Sequence, residues 1–228
     1  MLPLQNSARA QGRSAAVLAL IAGYVDSYTL LNYSVFSSFM SGNTTQTGLQ
    51  AGQANFAEAG HNLLPIPVFV VGVFVGALLV HPGNRHRLRW VFGLVAALLA
   101  AVVVTFHAGP LPGWCNIMIL SLAMGIMNTT ITRVGEQSVS LGYVTGTLNN
   151  AAQHLALAAK REPLPDAEGS WDTHVRRAAL LAGIWTAFIV GALLAGAATP
   201  RFAAWSLVPP ILILLMLSAS YRAANPRA

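Results

Sequence analysis

Charge is what this sequence has least of. Of 228 residues only 9% are Asp, Glu, Lys or Arg, where a soluble domain carries about a quarter. Too few charges remain to cover a water-facing surface. With 55% hydrophobic residues and a mean hydropathy of +0.58, lipid must be the solvent for much of the chain. Cysteine is nearly absent as well. Cys115 stands alone, which excludes an internal disulfide and a cysteine-based metal site. The histidines lack metal-ligand spacing and no Gly-rich phosphate loop is present, so neither a metal nor a cofactor is expected. No nucleophile–base pair and no paired intramembrane carboxylates are found, which argues against an enzyme. The net charge of +6 reads as a topology signal and not as affinity for nucleic acid, because basic residues stay on the cytoplasmic side of a membrane. A cleavable signal peptide is not expected, since the first apolar run contains Asp26 and leads into further membrane-like sequence.

What is present is a set of apolar runs of bilayer-spanning length. Six are expected to be membrane helices: Ser14 to Leu31, Asn62 to Val80, Trp90 to Phe106, Trp114 to Ile131, Ala178 to Ala198, and Phe202 to Tyr221. Trp90, Trp114 and Trp205 stand at span starts, where indole rings anchor at the interface. Two further segments, Ser34 to Ala54 and Ser138 to Leu157, are almost uncharged yet rich in Gly, Ser, Thr, Asn and Gln. They are too polar to face lipid and too uncharged for an ordinary loop.

Basic residues decide how these segments run. Arg9 and Arg13, then Arg85, Arg87 and Arg89, then Lys160, Arg161, Arg176 and Arg177, and finally Arg222 and Arg227 form four patches. All four are cytoplasmic only if each polar segment dips into the membrane and returns to its own side; Arg201 is the single exception. The expected fold is therefore an all-α membrane protein of six transmembrane helices with two re-entrant or broken-helix segments and both termini in the cytoplasm. Non-helical backbone at membrane depth is tolerated only when buried in protein or lining a wet cavity.

The two halves repeat one another. Gly23-Tyr24-Val25-Asp26 matches Gly125-Ile126-Met127-Asn128 at an offset of 102, and Ser41-Gly42-Asn43 matches Thr145-Gly146-Thr147 at 104. Val75 to Leu79 recurs letter for letter as Val190 to Leu194 at 115, and Trp90 matches Trp205 at the same 115. The chain divides into a first membrane repeat, 1–108, and a second, 109–228, the latter containing the charged linker 160–177. Three spans per repeat is an odd number, so the second copy enters from the opposite side. That is the inverted 3+3 repeat common among secondary transporters. A duplication that only builds a stable bundle is the plainer alternative, but it does not require polar breaks at matching places.

Candidate site residues follow from this frame. Four of the seven acidic residues lie in the linker, Glu58 and Glu136 lie outside clear spans, and Asp26 alone sits within an apolar run. A carboxylate there costs a few kcal/mol on insertion scales and needs interior partners. It is a proton-coupling or cation-binding group, or else a helix–helix hydrogen bond to Ser, Thr or Asn. Its repeat mate Asn128 is neutral, which suits a single site with one titrating member. Gly42, Asn43, Thr44 and Gln46 form the polar knot of the first segment, with Gly42 allowing positive φ or close approach and the polar side chains suited to cap a half-helix. Thr145, Gly146 and Asn149 repeat it, and Gln153 and His154 continue that face. The alternative for both knots is capping and tight packing through small residues. Arg133 and Glu136, three apart, would share a helix face, as a gate pair or a plain interfacial ion pair.

The stretch GYVDSYTLLNYSVFSSFMSGNTTQTGL, residues 23 to 49, resembles the signature of the YoaK-like family of uncharacterised bacterial integral membrane proteins. That family carries a GYVDA-like stretch and a Met-Ser/Thr-Gly-Asn-Thr run. In its second half come a G-x-x-N run, an arginine and a T-G-T run, here Gly125 and Asn128, Arg133, and Thr145-Gly146-Thr147. The likeness covers essentially the whole chain; Ser27 in place of Ala and the extra Asn149-Asn150 are departures. It implies a small inner-membrane protein, often suspected of metabolite transport, and no particular substrate. The expected function is inner-membrane transport of a small polar solute, with proton coupling through Asp26. A passive channel and a non-transporting assembly subunit are the alternatives. The expected partners are the lipid bilayer and a small-molecule solute, and six spans are compatible with a homodimer.

Overall fold

The computed structural model describes residues 2–80, 86–109, 112–130, 133–134, 137–138 and 144–223. They form helices α1 (Leu2–Tyr33), α2 (Met40–Gly52), α3 (Phe56–Leu63), α4 (Pro65–Val80), α5 (His86–Ala108), α6 (Gly113–Asn128), α7 (Val144–Ala159), α8 (His174–Phe202) and α9 (Val208–Ala223). A 3₁₀ stretch, Ala203–Leu207, joins α8 to α9. The only strands among the described residues are two short ones, β1 (Arg133–Val134) and β2 (Gln137–Ser138), paired antiparallel with Arg133 opposite Ser138. Every other regular element among the described residues is helical.

Four segments are long and apolar enough to cross a bilayer: Ala10–Tyr33, Phe56–Val80, Leu88–Ala108 and the 47-residue run His174–Ser220. The last, at 1.5 Å per residue, is about 70 Å of chain, roughly twice a bilayer core, and the 3₁₀ stretch interrupts it where Ala203 takes a φ of 48°. α6 is apolar but only 16 residues long, about 24 Å. In α1 61% of the apolar window is buried, against 17% for Phe56–Val80; α1 is thus the most enclosed of the four and α4 is largely exposed.

The chain forms two compact units. One comprises 1–23 and 131–191, the other 24–130 and 192–228. In the larger unit α4 packs along α6, and α5 packs along α6 and α9. Its core is Phe92, Leu99, Ile117, Leu120, Met124, Met127, Leu207 and Leu214, all buried. Backbone contact sets the α4–α6 spacing: a Cβ on Gly125 would fall inside contact distance of the Phe69 carbonyl and the Val73 amide, and one on Gly72 inside that of the Leu122 carbonyl. Small residues are the means by which membrane helices approach this closely. Crevices between α5 and α9 (Val103, Val104, Trp205, Ile211) and between α4 and α6 (Val71, Met118, Leu122) have apolar walls.

The smaller unit repeats the glycine device. A Cβ on Gly23 of α1 would collide with the Phe188 carbonyl of α8. Leu18, Ile21, Leu181 and Ile184 are buried in this unit. Its linker is tied by Arg177, which is 7% exposed and donates through Nε and Nη2 to Asp172 at 3.1 and 2.7 Å and through Nη1 to Asp166 at 2.9 Å. Arg176 lies over the Trp171 ring at 4.3 Å. The guanidinium of Arg177 holds the Asp166 carboxyl below its ordinary value. Burial alone would raise Asp172, but Arg177 and the Glu168 amide outweigh it and hold that carboxyl low too.

Helix ends explain where the runs stop. Ser34, Ala54 and Arg161 take φ of 58°, 59° and 57°, the left-handed conformation that terminates helices. At Ala54 the Asn55 amide reaches the Gln50 carbonyl at 2.9 Å, and at Arg161 the Glu162 amide reaches the Leu157 carbonyl at 3.0 Å. The two polar helices α2 and α7 thus end on the same six-to-one closure.

Two outcomes are expected. Gly23→Leu or Gly125→Leu forces backbones apart and destabilises by about 1–3 kcal/mol or more, read as a lower thermal midpoint in detergent. Gly196→Leu, with nothing within 4 Å of the added carbon, leaves it unchanged. Because Asp166 and Asp172 are depressed on folding, their contribution is complete above the unfolded carboxylate value of about 4 and is lost as pH falls through the lower folded values. Limited proteolysis of the linker should therefore stay slow down to about pH 4.5 and accelerate below about pH 4.

Candidate functional site

The site is built at the break between α1 and α2. α1 ends when Ser34 turns left-handed, its amide still bonded to the Leu30 carbonyl at 3.0 Å. The chain then folds back along α1. Ser37 Oγ donates to Asp26 Oδ1 at 2.9 Å, the Ser38 amide donates to the same oxygen at 2.6 Å, and Ser38 Oγ bonds Oδ2 at 2.7 Å. Asp26 lies seven residues before Tyr33, about 10 Å along the helix, so residues 34–39 return by roughly two turns. Asp26, Ser37 and Ser38 are all buried.

A second clasp holds the other side of the break. Asn43, fully buried on α2, accepts from the Phe36 amide at 2.9 Å and donates through Nδ2 to the Phe36 carbonyl at 2.7 Å. One primary amide thereby satisfies both backbone groups of a residue outside any helix. Gly42 lets the rings of Phe36 and Phe39 lie against α2: a Cβ there would stand 2.5 Å from Phe39 Cδ1 and 3.1 Å from Phe36 Cε2. The two rings meet edge to face at 5.2 Å. Of the two roles expected for Gly42, close approach is the one present.

The capping role expected for the polar knot is not found. The residue before α2 is Phe39, without a side-chain cap; Asn43 turns back to Phe36, and Thr44 and Thr45 bond the Met40 and Ser41 carbonyls one turn before them. Such back-bonding is the usual alternative for a hydroxyl inside a helix. Ser41, Thr44, Thr45 and Gln46 form an exposed, uncharged polar face. His61 of α3 closes the outer end, its Nε2 2.7 Å from the Tyr33 carbonyl. Thr105 bonds the buried Asn116 at 3.0 Å.

Asn128 ends α6 in the same unit, with Oδ1 buried and without a partner among the described residues. By the repeat, its counterparts of Ser37 and Ser38 would come from 139–143, outside the described residues. In the other unit Gly146 is buried at the start of α7, while Thr145 and Asn149 are exposed. Arg133 lies on β1, so the helical spacing that would pair it with Glu136 does not apply. The Arg133 side chain and Glu136 lie outside the described residues. The partners Ser37 and Ser38 were missed as individuals. Their signal was a serine pair in the polar stretch directly after a span bearing one carboxylate.

An all-helical chain with four segments fit to cross a bilayer, and a carboxylate buried in the most enclosed of them, is a multi-pass membrane protein. It belongs to the family described as "Protein of unknown function (DUF1275)", which matches residues 14–220. It is similar to the UPF0700 transmembrane protein YoaK of Bacillus subtilis (strain 168), with 26% identity over 225 residues, 93% of this chain and 95% of that one. It is also similar to the UPF0700 transmembrane protein RA0705 of Rhizobium meliloti (strain 1021), with 28% identity over 213 residues, 91% and 84% of the two chains. These matches bear out the resemblance carried by residues 23 to 49. No solved structure matches the chain.

The two clasps should be separable in stability. Asn43→Leu strands both backbone groups of Phe36, at about 1–3 kcal/mol for each buried group left unpaired. Ser37→Ala removes one of three donors to Asp26 and is expected to cost less, about 1 kcal/mol. Unfolding midpoints in detergent titrated with dodecyl sulfate should rank Asn43→Leu well below Ser37→Ala.

Proposed function

We propose that this protein carries a small polar solute across the bacterial inner membrane, along the uncharged face of α2 beside the Asp26 clasp. The observation that supports this reading most is the break itself. Backbone outside any helix is held about 10 Å back along α1 by a buried carboxylate and a buried amide, next to exposed hydroxyl and amide groups that lipid cannot solvate. Hydrogen-bonding groups without charge suit a neutral or zwitterionic solute. The exposed Thr145 and Asn149 of α7 would be their counterparts in the second half.

The architecture we infer is six spans as an inverted 3+3 repeat, with both termini cytoplasmic. The 47-residue run has length for two passes, and α6 would be a short sixth span. Two features support the repeat. Gly23 meets Phe188 while Gly125 meets Val73, and both the glycines and their partners are repeat mates by the offsets of 102 and 115. α2 and α7 also share one closure.

Asp26 can take up a proton without losing a contact. The Ser38 amide can only donate, so Oδ1 must keep its lone pair. Oδ2 faces the Ser38 hydroxyl, which can donate to a carboxylate or accept from a carboxylic acid. The proton of a coupled carrier would therefore sit on Oδ2.

In proteoliposomes screened with neutral and zwitterionic metabolites, uptake should saturate and acidify the lumen. Asp26→Asn should slow it about tenfold or more and abolish its pH dependence; unchanged rate and pH dependence would remove Asp26 from coupling, and linear, proton-free flux would mark a channel. In a Cys115→Ser background, Thr44→Cys should react with an impermeant thiol reagent from outside and Thr145→Cys from inside. Reaction of both from one side would overturn the inversion.

A further inference from the structure

The crevice between α5 and α9 is a feature that solute transport does not use. On α5, Ala100, Val103, Val104 and His107 fall three and four apart along one helix face, and Val208 and Ile211 of α9 line the other side. The space is about 540 Å³ and its walls are apolar. Val103 is buried, whereas Val104 is 62% and Trp205 58% exposed. From Ala100 to His107 the crevice runs about 10 Å along α5, and the His107 ring lies 5.0 Å from that of Trp205. The same end carries a cation. Trp205 belongs to the 3₁₀ corner after α8, and Arg201, in the last turn of α8, stands four residues before it, within about 8 Å at 2 Å of rise per residue. Arg201 Nη1 donates to the Ala197 carbonyl one turn back, the ordinary role of a base at a helix end. That uses one of five N–H donors. No carboxylate among the described residues pairs with this guanidinium. Arg201 is also the one basic residue that the charge pattern leaves outside the four cytoplasmic patches.

We propose that the α5–α9 crevice binds one anionic phospholipid of the bilayer, its acyl chain against Ala100, Val104 and Ile211 and its phosphate on Arg201. The two parts of the site have the two chemistries of that ligand. Apolar walls accept an alkyl chain and offer a polar solute no hydrogen bond. A guanidinium fork takes two phosphate oxygens in parallel, while its alkyl stem lies along apolar surface and its head reaches headgroup level. The exposed rings of Phe202 and Trp205 flank Arg201 in the chain, as aromatic residues do at a membrane interface. A lipid phosphate thus provides the counter-charge that the described residues do not. The corner it would hold is a junction of three helices. Thr199 Oγ1 lies 3.4 Å from Ser206 Oγ, and the Tyr24 hydroxyl of α1 donates to the Ser206 carbonyl at 2.6 Å, two residues before Asp26. A lipid bound at Arg201 therefore steadies the turn between α8 and α9 to which α1 is tied. This holds whether or not the protein carries a solute.

The test uses the full chain, delipidated in detergent and titrated with phosphatidylglycerol or phosphatidylcholine. Native mass spectrometry should show one phosphatidylglycerol retained per chain, preferred about tenfold over phosphatidylcholine, the scale of one charge-assisted contact. The same lipid should raise the thermal midpoint in proportion to the logarithm of its concentration. Arg201→Gln, at an exposed position, should remove the preference and the shift, and Arg201→Lys should keep most of both. Val104→Trp fills the crevice from an exposed position and should reduce retention of either lipid. A phosphatidylglycerol with a diazirine in its acyl chain should label peptides of α5 and α9. Equal retention of the two lipids by the unsubstituted chain overturns the site, as does a preference that survives Arg201→Gln or labelling confined to other helices. An equal midpoint shift from inorganic phosphate alone also overturns it, because the ligand would then be a free anion. In a Cys115→Ser background, Val104→Cys that forms a disulfide with its copy in preference to admitting lipid would make a second chain the occupant and overturn it too.

Discussion

Backbone that leaves a helix and is buried has no water to satisfy it, and each unpaired group costs about 1–3 kcal/mol. The segment 34–39 meets that constraint with two side chains. Asp26 accepts the Ser38 amide and both serine hydroxyls; Asn43 takes both backbone groups of Phe36. These two side chains hold the chain between the end of α1 at Tyr33 and the start of α2 at Met40. The polar face of α2 depends on the same pair, since it is presented only because the break is held. The carboxylate is therefore architectural first. Any coupling role is exercised through a group that also holds the chain in place.

Helix spacing is set in the same economical way. At Gly23 and at Gly125 a carbonyl of the neighbouring helix occupies the space of a side chain. In lipid the hydrophobic effect does not push helices together, so close van der Waals contact must do so. Those two glycines begin the two copies of the G-x-x-D/N motif, three residues before Asp26 and Asn128. In the first copy the motif combines a packing residue, Gly23, with a polar residue, Asp26, that binds the adjoining break. Asp26 and Asn128 are not equivalent: the first has its donors in place, and the second has an enclosed oxygen without one among the described residues.

The linker follows a different logic. Arg177 gathers two of the linker's four carboxylates. His154 and His174 lie beside it, their Nδ1 atoms 2.8 Å apart. A charge network with low carboxylates is steady through the neutral range.

The membrane class, the positions of the apolar runs and the two polar interruptions were legible in composition and periodicity, because lipid admits few solutions for a charge-poor chain. Asp26 stood out for the same reason: a lone carboxylate in an apolar run must be explained. What sequence could not determine is which partners meet it. Ser37 and Ser38 were two hydroxyls among many, and only the left-handed turn at Ser34 brings them back to Asp26. Asn43 looked like a helix cap and is instead a clasp on Phe36. Arg133 and Glu136 looked helical by spacing, yet Arg133 lies on a strand. Sequence by itself determined that this chain lives in a membrane and where its polar groups are concentrated, since solvation depends on composition. Tertiary structure decided which of those groups satisfy each other, since a hydrogen bond depends on where the backbone turns, and a turn of this kind leaves no periodic trace.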